Sequence, residues 1–140
     1  MGLKLTRGGE YAIRAMIHLA QHPVGEVSAL HDIGREQDIP ESFLAKILQG
    51  LVHADLATSH RGARGGFSLA KPASAITARE IVEAVDGPIS LNTCVVRPEE
   101  CHRSPDCRMH KVWIEAQERM MEVLDGVSLA DLAPEPAVAF

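Results

Sequence analysis

Three cysteines and a histidine lie close together in this 140-residue chain, and these three are its only cysteines. The four residues are Cys94, Cys101, Cys107 and His110. Thiolate and imidazole groups are ligands that suit iron–sulfur clusters and zinc. The spacing contains no C-x-x-C pair, which most structural zinc sites have, and therefore favours a cluster. A zinc site, or free thiols of which one is redox-active, remain alternatives.

His110 follows Cys107 by about one helical turn, so both side chains can point at one centre. His102 lies nearby, but this geometry favours His110 as the ligand. Pro98 and Pro105 stiffen the segment between the cysteines. The spacing therefore predicts an irregular ligand loop that ends at the start of a helix.

The composition limits the classes of protein to consider. Apolar residues make up 46% of the chain, which predicts a folded domain, and the net charge of −5 still permits a local basic face. There is no apolar run long enough for a transmembrane helix and no signal-peptide pattern, so we expect a cytoplasmic protein without membrane contact. Clustered cysteines in that compartment favour metal binding over disulfides. No catalytic nucleophile–base set or phosphate-binding loop is found, which argues against an enzyme.

Local signals predict the elements that must position the ligand loop. Apolar periodicity predicts a helix after Thr6, a second helix capped by Ser28 and a third with Pro40 at its first position. Short strands at 56–60 and 67–70 flank a glycine-rich turn. Thr77 is expected to cap a fourth helix that Gly87 ends. An amphipathic helix from about 109 to 124 and a short turn capped at 128 follow.

This order predicts a mainly α fold with a small β-hairpin, a winged helix-turn-helix with a long C-terminal helix. In such proteins the second helix of the motif enters the major groove of DNA. Its first turns and the arginines of the hairpin are therefore expected to contact DNA. The predicted DNA-binding residues are Ser28, Glu41, Ser42, Lys46, Thr58, Arg61 and Arg64. Phe43 is expected to be a core residue, and Glu41 can have the ordinary role of favouring the helix dipole.

The segments LTRGGEYAIRAM, FLAKILQGLVHADL and RGARGGFSLAKPASAIT, with C-x₆-C-x₅-C-x₂-H before VW, suggest a family. Over nearly the whole chain, the sequence resembles the iron–sulfur-cluster regulators of the IscR, NsrR and RirA type. This resemblance implies a homodimer in which the long C-terminal helix reaches the partner, and an operator in double-stranded DNA. It also implies that Cys94, Cys101 and Cys107 are the thiolate ligands.

The resemblance offers two fourth ligands. His110 matches the histidine that IscR-like proteins use for a [2Fe-2S] cluster, and this cluster is favoured. Glu10 matches the position where NsrR-like proteins place an aspartate, which reaches a [4Fe-4S] cluster in the other subunit. Ala45 stands where IscR-like proteins have a glutamate used in base discrimination, so the operator preference of those proteins is not carried over.

The sequence therefore predicts a DNA-binding regulator, a repressor by resemblance, that senses iron, redox state or nitric oxide through the cluster. The alternative is a cluster-free winged-helix regulator with a thiol redox switch or a zinc site. The expected division has four parts. These are the DNA-binding domain (1–87), the cluster-binding loop (88–108), the dimerisation helix with a short last turn (109–132) and a tail (133–140).

Overall fold

We analysed a computed structural model, which describes residues 6–91, 99 and 107–133. It confirms the mainly helical fold with a two-stranded antiparallel hairpin. The helices in the described ranges are α1 (Arg7–Ala20), α2 (Leu30–Gln37), α3 (Glu41–His53), α4 (Ala78–Asp86), α5 (Arg108–Asp125) and α6 (Leu129–Leu132). The strands are β1 (Ala57–His60) and β2 (Gly66–Leu69), and a 3₁₀ turn covers Ala73–Ala75.

Helix α1 is the centre around which the domain packs. It begins where the Thr6 side chain accepts a hydrogen bond of 3.0 Å from the backbone N–H of Gly9. Its small residues Ala12 and Ala15 are fully buried beside Met16. Small side chains let neighbouring helices approach closely, and α1 accordingly contacts α2, α3 and α4. This packing places α2 and α3 as the two helices of the motif.

The turn between α2 and α3 depends on two local features. Asp38 adopts the left-handed conformation at a φ of 55°, which ends α2. A Cβ at Gly34 would lie 2.9 Å from the carbonyl oxygen of Ile39, so only glycine fits there without a shift. Pro40 occupies the N-cap of α3 and not, as the sequence predicted, its first helical position, because its ψ of 131° is not helical.

The prediction that Ser28 caps α2 is wrong. Ala29 holds the N-cap position and makes no side-chain capping bond, whereas Ser28 pairs with Phe67 in an antiparallel bridge. The Ser28 N–H donates to the Phe67 carbonyl at 2.8 Å, and the Phe67 N–H donates to the Ser28 carbonyl at 2.9 Å. The hairpin is thereby attached to the residue that precedes α2.

The hairpin, called the wing below, consists of β1, β2 and the turn 61–65. Its register pairs Ala57 with Leu69 and His60 with Gly66. The strands therefore lie within one residue of the predicted bounds. Between them, the His60 Nε2 and Ser68 Oγ atoms form a cross-strand hydrogen bond of 2.8 Å. The wing is thus a short projection beside α3.

Helix α4 connects this DNA-binding half to the C-terminal half. Thr77 caps it as predicted, accepting from the Glu80 N–H at 3.1 Å, and Gly87 ends it. A Cβ at Gly50 of α3 would lie 3.3 Å from the carbonyl oxygen of Ala84, so α3 and α4 are in close contact. Helix α5 packs on α4, and Ser128 begins α6 with a capping box, as its predicted capping role requires.

Candidate nucleic-acid interface and cysteine–histidine segment

Helix α3 presents a continuous polar face to solvent. Leu44, Ile47, Leu48 and Leu51 are buried against the domain. The opposite face carries polar side chains that recur at steps of three and four residues, and all of them are exposed: Ser42, Lys46, Gln49 and His53. Of these, Ser42 and Lys46 were predicted to contact DNA. This surface has the position and chemistry of a recognition helix.

The expectation that Phe43 belongs to the core is wrong. The side chain is 54% exposed because it lies in the first turn of α3, at the edge of the buried face. There it packs edge-on against Tyr11, with ring centroids 6.4 Å apart. The Arg14 guanidinium lies 5.4 Å from the Tyr11 ring centroid and completes this surface cluster.

Glu41 also differs from the simple expectation of a helix-dipole carboxylate. It lies in the first turn of α3, but its Oε1 is 3.0 Å from His31 Nδ1 on α2. Both side chains are exposed. This contact connects α2 to the start of α3, at the N-terminal end of the polar face of α3.

A cleft of about 410 Å³ separates α3 from the wing. Its lining combines Gln49 of α3 with Ser59, His60 and Arg61 of the wing, together with backbone of the glycine turn. Backbone N–H groups, hydroxyls and arginine are the usual partners of phosphate oxygens. Gln49, Ser59 and His60 were not among the DNA-binding residues predicted from the sequence. The only signal was that Gln49 shares the helical face of Ser42 and Lys46.

The other predicted residues fall into two groups. Thr58, Arg61 and Arg64 are exposed on the wing, where DNA could reach them. Ser28 is only 8% exposed, and its backbone is paired with Phe67. The burial of Ser28 leaves its hydroxyl poorly placed to reach a phosphate, and its position favours a structural role at the base of the wing.

Three cations of this surface are not held in ion pairs with other described residues. In the part of the chain that the structure describes, Lys46, Arg61 and Arg64 form no ion pair. The lysines and arginines that form ion pairs in the described ranges are Arg14, Arg35, Lys71, Arg79 and Arg119. Unpaired cations remain available to neutralise phosphates, despite the net charge of −5.

Two of the four predicted ligands are described. Cys107 stands at the N-cap of α5 without a side-chain capping bond, and His110 lies in the first turn. The Nδ1 atom of His110 is buried and has no hydrogen-bond partner among the described residues. Cys94 and Cys101 lie outside the described residues. Within 6–91 and 107–133, histidine, cysteine and carboxylate side chains form no group of three that could hold a metal ion.

Glu10, the other candidate ligand, has a partner on its own helix. Its Oε1 accepts a hydrogen bond of 2.7 Å from Arg14 Nη2, in a salt bridge of i,i+4 spacing. Arg14 Nη1 also donates to the carbonyl of Gln37 at 3.2 Å. The carboxylate of Glu10 is therefore part of the contact between α1 and α2.

Helix α5 has two faces of different character. Met121 is buried against the domain, and Ile114 on the same face is half-buried. The opposite face is apolar, yet the described chain leaves it exposed or half-exposed, with Val112 at 51% and Val123 at 65%. Its members recur at steps of three and four: Met109, Val112, Ala116, Met120 and Val123. We call this surface the α5 apolar face.

An exposed polar helix beside a short wing, with unpaired cations on both, defines a winged helix-turn-helix DNA-binding protein. Comparison with known families agrees. The profile of the Rrf2 family, described as iron-dependent transcriptional regulators, matches residues 5–135. The chain belongs to the Rrf2 family.

Individual relatives support the same class. A helix-turn-helix-type transcriptional regulator of Mycobacterium tuberculosis is 33% identical over 131 residues, which cover 94% of this chain and 81% of the relative. CymR (YrzC), described as the global cysteine regulator of B. subtilis, is 32% identical with a TM-score of 0.76, covering 93% of this chain and 95% of CymR. IscR of T. potens is 31% identical with a TM-score of 0.69, covering 100% and 95%.

These relatives are transcriptional regulators and not enzymes, as the sequence predicted for this chain. The chain is therefore a helix-turn-helix transcriptional regulator, and DNA is its partner. No helix of the described ranges combines the length and the apolar character that crossing a membrane requires.

Proposed function

We propose that this regulator binds its operator as a homodimer and senses through an iron–sulfur cluster of the [2Fe-2S] type. The cluster ligands in this proposal are Cys94, Cys101, Cys107 and His110. The signal is the availability of iron, the redox state or nitric oxide, and the expected output is repression. The observation that carries the proposal is the Nδ1 atom of His110, which is buried and has no hydrogen-bond partner within 6–91 and 107–133.

The chemistry of that atom supports a ligand role. A buried polar atom without a hydrogen bond costs free energy, about 1–3 kcal/mol, and native proteins rarely leave one unsatisfied. A bond to iron would satisfy it. Cys107 begins the same helical turn, so a thiolate and an imidazole are adjacent. A bound cluster would supply a centre that can be oxidised, reduced or lost.

His110 is a better candidate than Glu10 for the fourth position. Glu10 is exposed, and its Oε1 accepts a hydrogen bond of 2.7 Å from Arg14, so its carboxylate is satisfied without iron. His110 has no such competing partner among the described residues. A neutral imidazole is a suitable ligand for this kind of centre.

DNA binding in this proposal uses α3 and the wing together. Ser42 and Lys46 would approach the major groove, whereas Arg61 and Arg64 would approach the backbone or the minor groove. Glu41, at the start of α3, remains a candidate for contact with DNA, and its carboxylate also contacts His31. Thr58 would donate to a phosphate.

The α5 apolar face supports the homodimer. An apolar stripe of this kind is expected to be covered, and a second copy of the same helix is complementary to it. Two copies would place two recognition helices on one side of the dimer, as a palindromic operator requires. The face is also continuous with the turn that holds Cys107 and His110, which would bring the sensor close to the interface.

One specific relative favours a second candidate for the sensing mechanism. CymR is described as the global cysteine regulator of B. subtilis and shares 32% identity with this chain. In this alternative, the three thiols hold no cluster and form a reversible disulfide or a zinc site. The DNA-binding surface would be the same in both cases.

The experiment is anaerobic purification followed by an absorption spectrum and by counts of iron and sulfide. We expect coloured protein with iron and sulfide in about equal amounts. Cys107→Ser should abolish the visible absorption and His110→Ala should shift or weaken it, whereas His53→Ala, which changes an exposed histidine on α3, should leave it unchanged. Colourless protein with stoichiometric zinc, or metal-free protein with a reversible disulfide, would refute the cluster.

A further inference from the structure

The backbone at the start of the ligand loop is held by one side chain. Gln117 of α5 donates from its Nε2 to the carbonyl of Ile89 at 2.5 Å and accepts at its Oε1 from the N–H of Leu91 at 2.9 Å. A single amide thus satisfies two backbone groups of an otherwise irregular segment. We call this pair of bonds the Gln117 clamp.

The clamp lies at an informative place in the chain. Leu91 precedes Cys94 by three residues, and Cys107 is the N-cap of the helix that carries Gln117. Both ends of the ligand loop are therefore attached to α5. His110 and Gln117 are seven residues, two helical turns, apart, which places them on the same face of α5 about 10 Å from each other along the axis.

Further polar contacts connect the clamp to α4. Glu83 of α4 accepts from the Ile89 N–H at 3.2 Å and from Arg79 Nε at 2.7 Å. Arg79 also donates to Asp125 at 3.0 Å, and Asp125 lies near the end of α5. The start of the loop is thus hydrogen-bonded to α5 through Gln117 and to α4 through Glu83.

Helix α4 in turn touches the recognition helix. At Gly50, the backbone of α3 approaches Ala84 and Val85 so closely that an added Cβ would lie 3.3 Å from the Ala84 carbonyl oxygen. Packed interiors transmit small shifts because they are densely filled. A displacement of the segment at 89–91 would therefore move groups that are in contact with α3.

From these contacts we propose that Gln117 is a positioning residue that couples the ligand loop to the recognition helix. The proposal rests on the proposed function, in which the loop changes state with the signal, and adds the route by which that change reaches DNA. Gln117 fixes the start of the loop on α5. A displacement at that point is transmitted to α4 through Glu83 and Arg79, and from α4 to α3.

The test replaces Gln117 by Met, which keeps the length of the side chain and removes both hydrogen bonds. Glu118→Met, at an exposed neighbour on the same helix, is the matched control. For each protein, operator affinity is measured after anaerobic reconstitution with ferrous iron and sulfide, and again after removal of iron by a chelator. Hydrogen exchange at the amide of Leu91 reports on the clamp itself.

In the wild type and in Glu118→Met, we expect the two affinities to differ by at least about fivefold, a typical size for coupling between sites. In Gln117→Met, that ratio should fall at least threefold, and the Leu91 amide should exchange at least tenfold faster. Glu83→Ala, which removes the contact between α4 and the loop, should also reduce the ratio and provides a second test if Gln117→Met fails to fold.

An unchanged ratio in folded Gln117→Met or Glu83→Ala would overturn the coupling role while leaving the proposed function intact. Fast exchange of the Leu91 amide in the wild type would overturn the clamp. If the wild-type ratio is close to one, the proposed function fails at the sensing step, and the coupling role fails with it.

Discussion

Ser28 and Phe67 are joined by two backbone hydrogen bonds of 2.8 and 2.9 Å, which attach the wing to the start of the helix-turn-helix motif. The pairing is possible because residue 66 is glycine. A Cβ there would collide with the carbonyl oxygen of Ser28, and the φ of 154° suits glycine. The orientation of the wing relative to α3 therefore depends on the absence of a side chain at residue 66.

We predict that Gly66→Ala lowers the free energy of unfolding by about 2–4 kcal/mol, because backbone strain and overpacking act together. Gly62→Ala is the matched control. It lies in the turn of the same wing at a φ of 101°, but no atom lies within 4 Å of its added Cβ. Urea unfolding should show a clearly smaller loss for Gly62→Ala. Equal losses of unfolding free energy in the two variants would mean that the contact with Ser28 does not restrict which side chain fits at residue 66.

Lys46→Ala and Arg64→Ala test the charges on the two halves of the DNA surface. Each should weaken operator binding and reduce the slope of log affinity against log salt by about two per dimer, because one phosphate contact per subunit is lost. Lys71→Ala removes the same charge from a lysine that is paired with Glu80, and should change neither quantity. The slope is obtained from affinities measured at several salt concentrations. An unchanged slope would show that the mutated side chain does not contact a phosphate.

Val123→Asp tests the α5 apolar face. Val123 is 65% exposed in the single chain, so the substitution should leave the fold of the subunit intact. A charge buried in a dimer interface is strongly unfavourable, and the dimer should dissociate into monomers in sedimentation experiments. Glu118→Gln, outside this face, should sediment as the wild type. A dimeric Val123→Asp variant would place the interface elsewhere.

His18 makes stability depend on pH. Its side chain is 3% exposed, with Nδ1 3.0 Å from Glu36 Oε2. Burial lowers the pKa of His18, and neighbouring His22 lowers it further, while Glu36 and Asp32 oppose this shift. Because the folded state takes up the proton less readily than the unfolded state, the stabilisation is complete above the unfolded pKa of about 6.5 and is lost as pH falls below it.

We therefore expect the free energy of unfolding to decrease from pH 7.5 to pH 5.5, by at most about 1.4 kcal/mol per pH unit for this one group. His18→Gln should flatten the dependence in that range, and His53→Gln, at an exposed position, should not. Urea titrations at several pH values give the comparison. A dependence that persists in His18→Gln would assign it to other groups.

Local signals were sufficient to predict most elements of the fold. Thr6, Thr77 and Ser128 cap helices because a hydroxyl that precedes an apolar period can accept from the backbone two or three residues later. Those interactions lie within a few residues, so the sequence contains them directly. The same holds for the glycine turn of the wing and for the polar face of α3.

The predictions were wrong or incomplete where the environment of a residue depends on partners that are distant in the sequence. Ser28 has the residue type of a cap, but its backbone pairs with Phe67, which is 39 positions away. Phe43 follows the apolar period of α3, yet its side chain is exposed and packs edge-on against Tyr11 of α1. Gln117 resembles any polar residue of an amphipathic helix, because its partners belong to the segment at 89–91 and no periodicity indicates them.

In the proposed function, the cysteine–histidine segment controls the affinity of the protein for DNA. The most direct measurement is fluorescence anisotropy of one wild-type preparation on its operator, before and after the iron is removed anaerobically. We predict affinities that differ by at least about fivefold between iron-loaded and iron-free protein. Equal affinities, in a preparation whose iron and sulfide contents prove loading and removal, would show that the segment does not control DNA binding.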